Sequence, residues 1–426
     1  MAESYVIIGD GIAGSSAAET LREEDSDAEI TVITEEGEAL YNRILIKEFA
    51  KGKLPEAPLS IHDEDWYTER DIALRLNTLV TAVDTEAHEI TTHDGETLGY
   101  DKLLLATGGT PTQLPVPNAD AGGVHHFWTF QDARRIAEHA EAADTGLVIG
   151  AGLLGIDFAA ICAAQGIDAH YLMRGKSWWR YAMTETGGEI IHDALSENGV
   201  EPVLESGIEK FTVDDDGQLT GGIDANGEEY EADFAGVAIG LNYNTEYIQD
   251  TDIETDNGII VDEYMQTNVE DVYAAGDITE FYDVILDQQN QNGSWGSAKE
   301  QGTVAAKNMV ADEAVEEFRW VPSYSITHFD FPFLSFGHPT LGSEGPVTDG
   351  NDPNGVERKY GDNDWRRLVF KDGKLIGGVL IGNLAPQSAY KTLIREERIV
   401  EDQVDKLLEE QVDLDELDAP AQEQTN

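Results

Sequence analysis

Residues 5–14 of this chain read YVIIGDGIAG, and residues 147–155 read LVIGAGLLG, so one glycine pattern occurs twice. In each copy the pattern follows an apolar run and precedes a helix-like segment, which is the context that a strand–turn–helix unit requires. The glycines of the two copies are Gly9, Gly11, Gly14, Gly150, Gly152 and Gly155. The first glycine of such a pattern allows a tight turn, the second lets the backbone approach a pyrophosphate, and the third lets the helix pack on the strand. The pair of motifs therefore predicts two dinucleotide-binding sites, the alternative being glycine turns that bind nothing.

Strand and helix patterns repeat around the two motifs and predict an α/β fold with two Rossmann-like domains. The predicted order is strand, helix, strand in both copies, at 5–9, 12–24 and 29–33 and again at 146–150, 153–165 and 168–173. This order builds a parallel, doubly wound sheet. We expect a first dinucleotide domain from 1–113 and 235–315, a second from 114–234, a smaller α+β domain at 316–411 with a helix at 400–411, and an acidic tail at 412–426.

The charge of the chain is strongly negative. It contains 84 Asp and Glu against 27 Lys and Arg, which gives a formal net charge of −57. The acids are spread along the chain, and 41% of the residues are hydrophobic, so a folded protein is favoured over a disordered acidic tail. Charge of one sign on this scale repels itself unless salt screens it, a composition that halophiles use. We expect a halophilic protein that does not bind nucleic acid.

Cysteine and histidine usage excludes several kinds of site. Cys162 is the only cysteine, so the chain has no disulfide framework and no dithiol chemistry. The histidine pairs, 125–126 and His328 with His338, lie among aromatic and apolar residues, which favours packing over metal binding. No metal site is predicted. Because the chain begins without a leader-like segment and has no apolar run of membrane-spanning length, we expect a soluble cytoplasmic protein.

Three motifs in order carry a resemblance to a known family. They are GDGIAG at 9–14, LLLATGG at 103–109 and YAAGD at 273–277, with the second glycine motif between the last two. The chain resembles the pyridine nucleotide–disulfide oxidoreductases, flavoproteins with one FAD domain and one NAD(P)H domain. Segments YNRILIKEFAKGK at 41–53 and WGSAKEQG at 295–302 look most like the reductase portion of nitrite reductase and the rubredoxin and ferredoxin reductases.

The resemblance implies an FAD site in the first domain. Its residues would be Gly9, Gly11 and Gly14 at the pyrophosphate, Arg43 near the phosphates, Thr107 and Gly108 close to the cofactor, Asp277 after Gly276 at a ribityl hydroxyl, and Ala298, where a helix would begin and point at the flavin. Glu35 lies about 20 residues beyond Gly14, where an acid can hold a ribose hydroxyl, and we favour this role over the alternative of a solvated acid. A helix cap is the alternative role for Asp277.

The chain departs from the family at the catalytic positions. Disulfide reductases carry a redox cysteine in the segment that Arg43 to Lys47 occupy here, so direct disulfide reduction is excluded. Lys47 could approach the flavin N5 instead, or be a solvated helix lysine. Asp157 stands where relatives place a glutamate against nicotinamide.

Arg174 follows the second strand, where an arginine suits the 2′-phosphate of NADPH, and we favour NADPH over NADH or dual use.

The function that these features imply is FAD-dependent NAD(P)H oxidoreduction, with electrons passed to a separate acceptor such as rubredoxin, a ferredoxin or a reductase partner subunit. Two alternatives stay open: an NAD(P)H oxidase or quinone reductase, and a redox-sensing interaction protein similar to apoptosis-inducing factor. The aromatic segment at 324–341 would suit either a homodimer interface or a lid over the flavin.

Overall fold

The strands and helices follow one another along a computed structural model that describes residues 2–329, 331–341, 345–350, 352–415 and 417. Through residue 111 the elements are β1 (Ser4–Ile8), α1 (Ile12–Glu24), β2 (Glu29–Ile33), α2 (Ile46–Ala50), α3 (Glu64–Thr68), β3 (Ile72–Arg75), β4 (Val80–Asp84), β5 (Glu89–Thr92), β6 (Thr97–Gly99), β7 (Lys102–Leu105) and β8 (Thr110–Pro111). The middle of the chain contains β9 (Val124–His126), α4 (Phe130–Ala140), β10 (Thr145–Ile149), α5 (Gly155–Gln165), β11 (Asp168–Leu172), α6 (Glu185–Glu197), β12 (Val200–Val203), β13 (Ile208–Val213), β14 (Leu219–Asp224), β15 (Glu229–Glu231) and β16 (Phe234–Val237).

The remainder of the described chain adds ten strands and three helices. These elements are β17 (Leu241–Asn242), β18 (Ile259–Val261), β19 (Val272–Ala274), β20 (Thr279–Asp283), β21 (Gln288–Asn290), α7 (Trp295–Val310), β22 (Ser323–Ile326), β23 (Phe333–Gly337), β24 (Gly355–Gly361), β25 (Asp364–Lys371), β26 (Lys374–Ile381), α8 (Gln387–Arg395) and α9 (Val404–Leu407). The predicted α/β fold is thereby confirmed. No helix in the described part of the chain has the length and apolar character that crossing a membrane requires.

The chain divides into two compact units. The first comprises the described residues of 1–46, 55–110 and 241–320, and the second those of 47–54, 111–240 and 321–426. Each glycine motif therefore has a unit of its own. The C-terminal residues from 321 onward share the second unit with the second motif.

The first unit is built on a five-stranded parallel sheet in the order β19-β7-β1-β2-β3. Its central strands are continuous apolar runs because helices cover both faces of such a sheet. Helix α1 packs against α7 closely enough that a Cβ on Gly302 would lie 2.0 Å from the Ala13 carbonyl oxygen. A separate antiparallel sheet, β4-β5-β6, is inserted in this unit.

The second unit repeats that plan. Its parallel sheet has the order β12-β11-β10-β16-β9, in which β10 occupies the place of β1, and an antiparallel sheet, β13-β14-β15, is again inserted. Cys162 on α5 is fully buried, and burial raises the pKa of its thiol to about 12. The thiol is therefore a small core group rather than a nucleophile, as its place on an Ala-rich helix indicated.

An antiparallel sheet in the order β22-β23-β26-β25-β24 completes the second unit. The aromatic segment at 324–341 supplies part of its core: Phe333 meets the Trp178 ring edge to face at 5.5 Å, and Phe336 stacks on Tyr390 at 5.2 Å. These two phenylalanines are fully buried. These two side chains therefore belong to the core of this sheet and not to an exposed surface.

The predicted helix at 400–411 is wrong in extent. A 3₁₀ turn at Glu401–Gln403 leads only to the single turn of α9. The Leu407 carbonyl accepts from buried Arg366 at 3.0 Å, and the Leu408 carbonyl accepts from Arg358 at 3.1 Å. These side chains take the carbonyls that a longer helix would have used. The predicted acidic tail lies outside the described residues at 416 and from 418 onward.

Candidate functional site

The first glycine turn leaves open space at its middle glycine. A Cβ on Gly9, whose φ is +111°, would lie 2.2 Å from the Ala106 carbonyl oxygen, and one on Gly14 would lie 1.9 Å from the Gly9 carbonyl oxygen. These two glycines are required by the protein's own packing. A Cβ on Gly11 would meet no described atom within 4 Å. Since folding does not require glycine there, the position is free for close approach by a ligand.

The second glycine turn has the same geometry. Gly150 has a φ of +107°, and its Cβ would lie 2.0 Å from the Ala238 carbonyl oxygen. A Cβ on Gly155 would lie 1.9 Å from the Gly150 carbonyl oxygen, whereas one on Gly152 would meet no described atom within 4 Å. The two motifs thus build equivalent cradles in which only the middle glycine faces open space.

A buried acid that the sequence analysis passed over lies inside the first turn. Asp10 is 8% exposed, and its Oδ1 accepts a hydrogen bond of 2.6 Å from the Tyr67 hydroxyl. Its Oδ2 is buried and has no hydrogen-bond partner among the described residues. Burial raises the pKa of Asp10 to about 7, although the Tyr67 hydrogen bond acts in the opposite direction. The sequence does distinguish this position, because the first motif has an acid between its first two glycines where the second motif has Ala151.

The acids after β2 have different environments. Glu35, predicted to hold a ribose, is exposed at the carboxyl end of this strand. Its neighbour Glu36 forms an ion pair with Arg43 and accepts a hydrogen bond of 2.7 Å from the Tyr41 hydroxyl. Arg43 is therefore held by a carboxylate rather than projecting freely from the first unit.

Asp277 follows β19 in the first unit without a hydrogen-bonded partner for its carboxylate among the described residues. Burial raises its pKa to about 6, and the nearby Arg43 guanidinium lowers it. The N–H of Gly276, whose φ is +88°, donates to Gln301 Oε1 at 2.7 Å. Strand β20 begins at Thr279, so Asp277 does not cap a helix.

Thr107 and Gly108 continue the chain beyond β7. The Thr107 hydroxyl lies 3.3 Å from the Tyr247 hydroxyl. Gly108 has a φ of +63°, and a Cβ on it would meet no described atom within 4 Å. Like Gly11, this glycine has open space beside it.

The helix expected to begin at Ala298 begins one turn earlier, at Trp295. Ser294 is its N-cap, and the Ala298 N–H donates to the Ser294 carbonyl at 2.9 Å. The Ser297 N–H is occupied by the Ser294 hydroxyl at 3.4 Å. Ala298 therefore offers no free N–H, and the unoccupied donors of this helix end belong to the residues before Ser297.

The two predicted catalytic residues meet in the second unit. Lys47 Nζ lies 3.3 Å from Asp157 Oδ1, and both side chains are largely buried. Asp157 stands in the first turn of α5, directly after the second glycine turn, where the helix dipole favours a negative charge. The same Oδ1 lies 2.8 Å from His328 Nε2. The packing role assigned to His328 from sequence therefore missed a polar contact.

The basic segment after β11 keeps one exposed arginine without a carboxylate partner. Lys176 Nζ lies 3.6 Å from Asp349 Oδ1, and the Arg180 guanidinium lies over the Tyr181 ring at 5.0 Å. Arg174 is exposed, and no carboxylate pairs with it in the described ranges. The segment also contacts the second glycine turn, because the Trp179 N–H donates to the Ala151 carbonyl at 2.9 Å.

Comparisons with known proteins agree with this geometry. The family model for pyridine nucleotide-disulphide oxidoreductases matches residues 3–302. The chain is 28% identical to nitrite reductase [NAD(P)H] of Bacillus subtilis over 93% of the chain and 47% of that protein, so it spans about half of that relative's length. It is 32% identical to the ferredoxin–NAD(+) reductase component of the anthranilate 1,2-dioxygenase system of Burkholderia cepacia, over 75% of the chain and 79% of that protein.

A solved structure confirms the fold. The covalent putidaredoxin reductase–putidaredoxin complex contains a chain that matches with a TM-score of 0.86 at 22% identity, over 94% of this chain and 95% of that one. The resemblance predicted from the three motifs is confirmed by the family match, which covers both glycine turns. The chain belongs to the pyridine nucleotide-disulphide oxidoreductase family.

Proposed function

We propose that this chain is an FAD-dependent NAD(P)H oxidoreductase that passes electrons from a nicotinamide nucleotide to a separate protein acceptor. The observation that carries the proposal is the pair of equivalent glycine cradles, each in its own unit and each open only at the middle glycine. Two dinucleotides in one chain are what electron transfer between a nicotinamide and a flavin requires.

The residues of the first unit fit FAD, a cofactor of this family. The open position at Gly11 suits a pyrophosphate, whose charge the N-terminus of α1 favours. Asp277 has a carboxylate ready to accept from a ribityl hydroxyl, and Arg43 supplies a positive charge that acts on both Asp10 and Asp277. When bound, FAD would supply a carrier that accepts two electrons and releases them one or two at a time. We assign Glu35 to the adenosine ribose, because it is exposed where β2 ends.

The second unit is proposed to bind the nicotinamide nucleotide, with NADPH preferred. Gly152 offers the open position for the pyrophosphate, and Arg174 offers a guanidinium that no described carboxylate neutralises. An arginine beyond the second strand is placed to bind a ribose 2′-phosphate. In a chain with 84 acids, an arginine kept without an acidic partner supports a role in binding an anion.

Lys47 and Asp157 are proposed to act at the reacting ends of the two cofactors. Their 3.3 Å contact keeps a positive and a negative group together with little exposure to water. In this arrangement Asp157 would orient the nicotinamide, and Lys47 would place a positive charge near the flavin N5. Neither residue needs to exchange a proton for electrons to pass.

A separate acceptor is favoured over oxygen or a quinone. The relative from Burkholderia cepacia is named a ferredoxin–NAD(+) reductase component, and it shares the highest identity of the relatives described above. A small iron–sulfur protein such as a ferredoxin or rubredoxin, or a reductase partner subunit, is therefore the proposed acceptor class. Because Cys162 is buried, direct disulfide reduction has no nucleophile in the described part of the chain.

The acceptor is tested by comparing three assays of NADPH consumption on the purified protein. We expect rapid consumption with a ferredoxin or an artificial dye and slow consumption with air alone. Rapid aerobic consumption without another acceptor would favour the oxidase alternative. A long-lived reduced complex whose sedimentation changes with redox state would favour the interaction-protein alternative.

We further propose a cytoplasmic protein adapted to high salt. The net charge of −57 favours solubility but destabilises the compact state unless salt screens the repulsion between acids. The free energy of unfolding should rise as KCl is added up to about 1 M, where the Debye length falls to about 3 Å. A stability that does not depend on KCl would contradict this proposal.

A further inference from the structure

A continuous series of five ionisable side chains runs through the second unit, and the sequence predicted only two of them. In order they are Glu48, Lys51, His328, Asp157 and Lys47. Lys51 Nζ lies 2.8 Å from Glu48 Oε1 and 2.9 Å from His328 Nδ1. His328 Nε2 lies 2.8 Å from Asp157 Oδ1, which also contacts Lys47 at 3.3 Å. Two bases, Lys51 and His328, stand between the acids Glu48 and Asp157, and Lys47 ends the series, so each charged group has an oppositely charged or polar neighbour.

The neighbours of the imidazole at the centre of the series favour one of its tautomers. The Lys51 ammonium has only donors, and its Nζ lies nearer to His328 Nδ1, at 2.9 Å, than to Nε2, at 3.4 Å, so Nδ1 is the favoured acceptor. The Asp157 carboxylate has only acceptors, so His328 Nε2 must donate. A neutral ring with its proton on Nε2 satisfies both partners. An imidazolium would direct an N–H at the Lys51 ammonium.

The same contacts distinguish the two oxygens of Asp157. Oδ1 accepts from His328 and contacts Lys47, whereas the hydrogen bond that Oδ2 accepts among the described residues is a long one of 3.5 Å from the Tyr324 hydroxyl, which also lies 3.4 Å from the Leu153 carbonyl oxygen. Tyr324 lies 5.6 Å below the Lys47 ammonium, measured to its ring centre, so it also limits where Lys47 can move. Oδ1 is thus fixed by the protein, while Oδ2 keeps capacity for one more donor.

We propose that His328 is a positioning residue for the nicotinamide nucleotide. Its hydrogen bond to Oδ1 fixes the Asp157 carboxylate, so that Oδ2 is presented to an amide donor of the nucleotide. Its ring also lies between the Lys51 ammonium and the Asp157 carboxylate. This proposal rests on the proposed function, because it assumes that Asp157 faces the nicotinamide. Lys51, whose side chain is 1% exposed, contributes by holding the far side of the ring.

Three variants separate positioning from packing. His328→Gln keeps one donor and one acceptor on a planar group, whereas His328→Leu keeps neither. His338→Leu removes another buried histidine of the same aromatic segment and controls for general loss of packing. Anaerobic rapid mixing with NADPH then gives the limiting rate of flavin reduction and the dissociation constant of each variant.

We expect His328→Leu to reduce the limiting rate by about tenfold or more, the effect of losing one hydrogen bond to a charged group. His328→Gln should recover most of that loss, and His338→Leu should keep the wild-type rate. Equal losses in the Leu and Gln variants, or a wild-type rate in His328→Leu, would overturn the proposal.

A second readout does not depend on activity. Nitrogen NMR of the protein labelled at histidine reports which ring nitrogen of His328 carries the proton, with His328→Gln identifying its signals. We expect a neutral ring protonated on Nε2; an imidazolium or an Nδ1 proton would contradict the assignment. If the wild-type protein binds FAD but NADPH does not reduce it, the proposed function fails, while the NMR result still decides the state of His328.

Discussion

The two glycine turns of this protein have nearly the same backbone and very different surroundings. Gly9 and Gly150 have φ values of +111° and +107°, and Gly14 and Gly155 would each bring a Cβ to 1.9 Å from the carbonyl oxygen of the first glycine. Around the first turn lie Asp10, Glu35 and Glu36. Around the second lie the uncharged Ala151 and, beyond β11, the base Arg174. The cradle is therefore common to both sites, and the charges beside it distinguish the nucleotide that each one suits.

The largest effect should come from filling one cradle at a time. Gly11→Val and Gly152→Val each place a Cβ where no described protein atom lies within 4 Å, so we expect the fold to tolerate both. We expect Gly11→Val to lose bound FAD, because the side chain occupies the place of the pyrophosphate. Gly152→Val should retain FAD and lose reduction by NADPH. Flavin content and anaerobic reduction measure the two effects.

The control for this pair is thermal stability in high salt. Both variants should unfold within a few degrees of the wild-type protein without its nucleotides. If Gly11→Val retains stoichiometric FAD, or if both variants lose FAD equally, the assignment of one nucleotide to each turn is wrong.

A smaller effect should distinguish the charges at the second turn. Arg174→Ala should raise the KM for NADPH by about 10- to 100-fold, as loss of one or two charge-assisted hydrogen bonds would. The KM for NADH should change little, because NADH has no 2′-phosphate. Lys176→Ala is the matched control, since Lys176 already pairs with Asp349. Equal changes in both KM values for Arg174→Ala would remove the argument for NADPH.

The smallest effect concerns the acid inside the first turn. Burial raises the pKa of Asp10 to about 7, while an unfolded Asp ionises near pH 4. Between these values the folded protein holds a proton that the unfolded chain has released, so Asp10 lowers stability as pH rises through this window. Asp10→Asn cannot ionise, and its stability relative to the wild-type protein should increase between about pH 4 and pH 7 and then level off.

This prediction is measured by denaturant unfolding of the flavin-free protein at constant high salt. The difference at pH 8 should be on the order of a few kcal/mol at most. A difference between the two proteins that is the same at every pH would show that Asp10 ionises normally in the folded state.

Much of the fold could be predicted from sequence because its signals are local. The glycine spacing and the apolar runs identified β1, α1, β2 and their counterparts β10, α5 and β11 to within two residues at each boundary. The end of the C-terminal helix could not be predicted, because Arg366 donates hydrogen bonds to the carbonyls of Leu407 and Glu409, which lie 41 and 43 residues away in the chain. Helix α7 begins at Trp295 because Ser294 is its N-cap. The sequence pattern predicted a Gly-Ser-Trp loop there, so the helix was expected to begin later, at Ala298.

The site was predictable where a motif specifies the backbone and obscure where side chains from distant segments meet. Lys47 and Asp157 were selected one at a time, from different segments, and the structure brings them to 3.3 Å. His328 is 171 residues from Asp157 in the chain, so no spacing could indicate their hydrogen bond. Asp10 lies within the motif, but the motif assigns functions to its glycines and none to the residue between them.

We propose that the first turn holds FAD and that a nucleotide at the second turn reduces it. Anaerobic titration of the purified protein with NADPH, and separately with NADH, tests this claim through the visible absorbance of the flavin. We predict that the bound flavin bleaches with one equivalent of NADPH and more slowly with NADH. A purified protein without flavin, or a bound flavin that stays oxidised with both nucleotides, would contradict the claim.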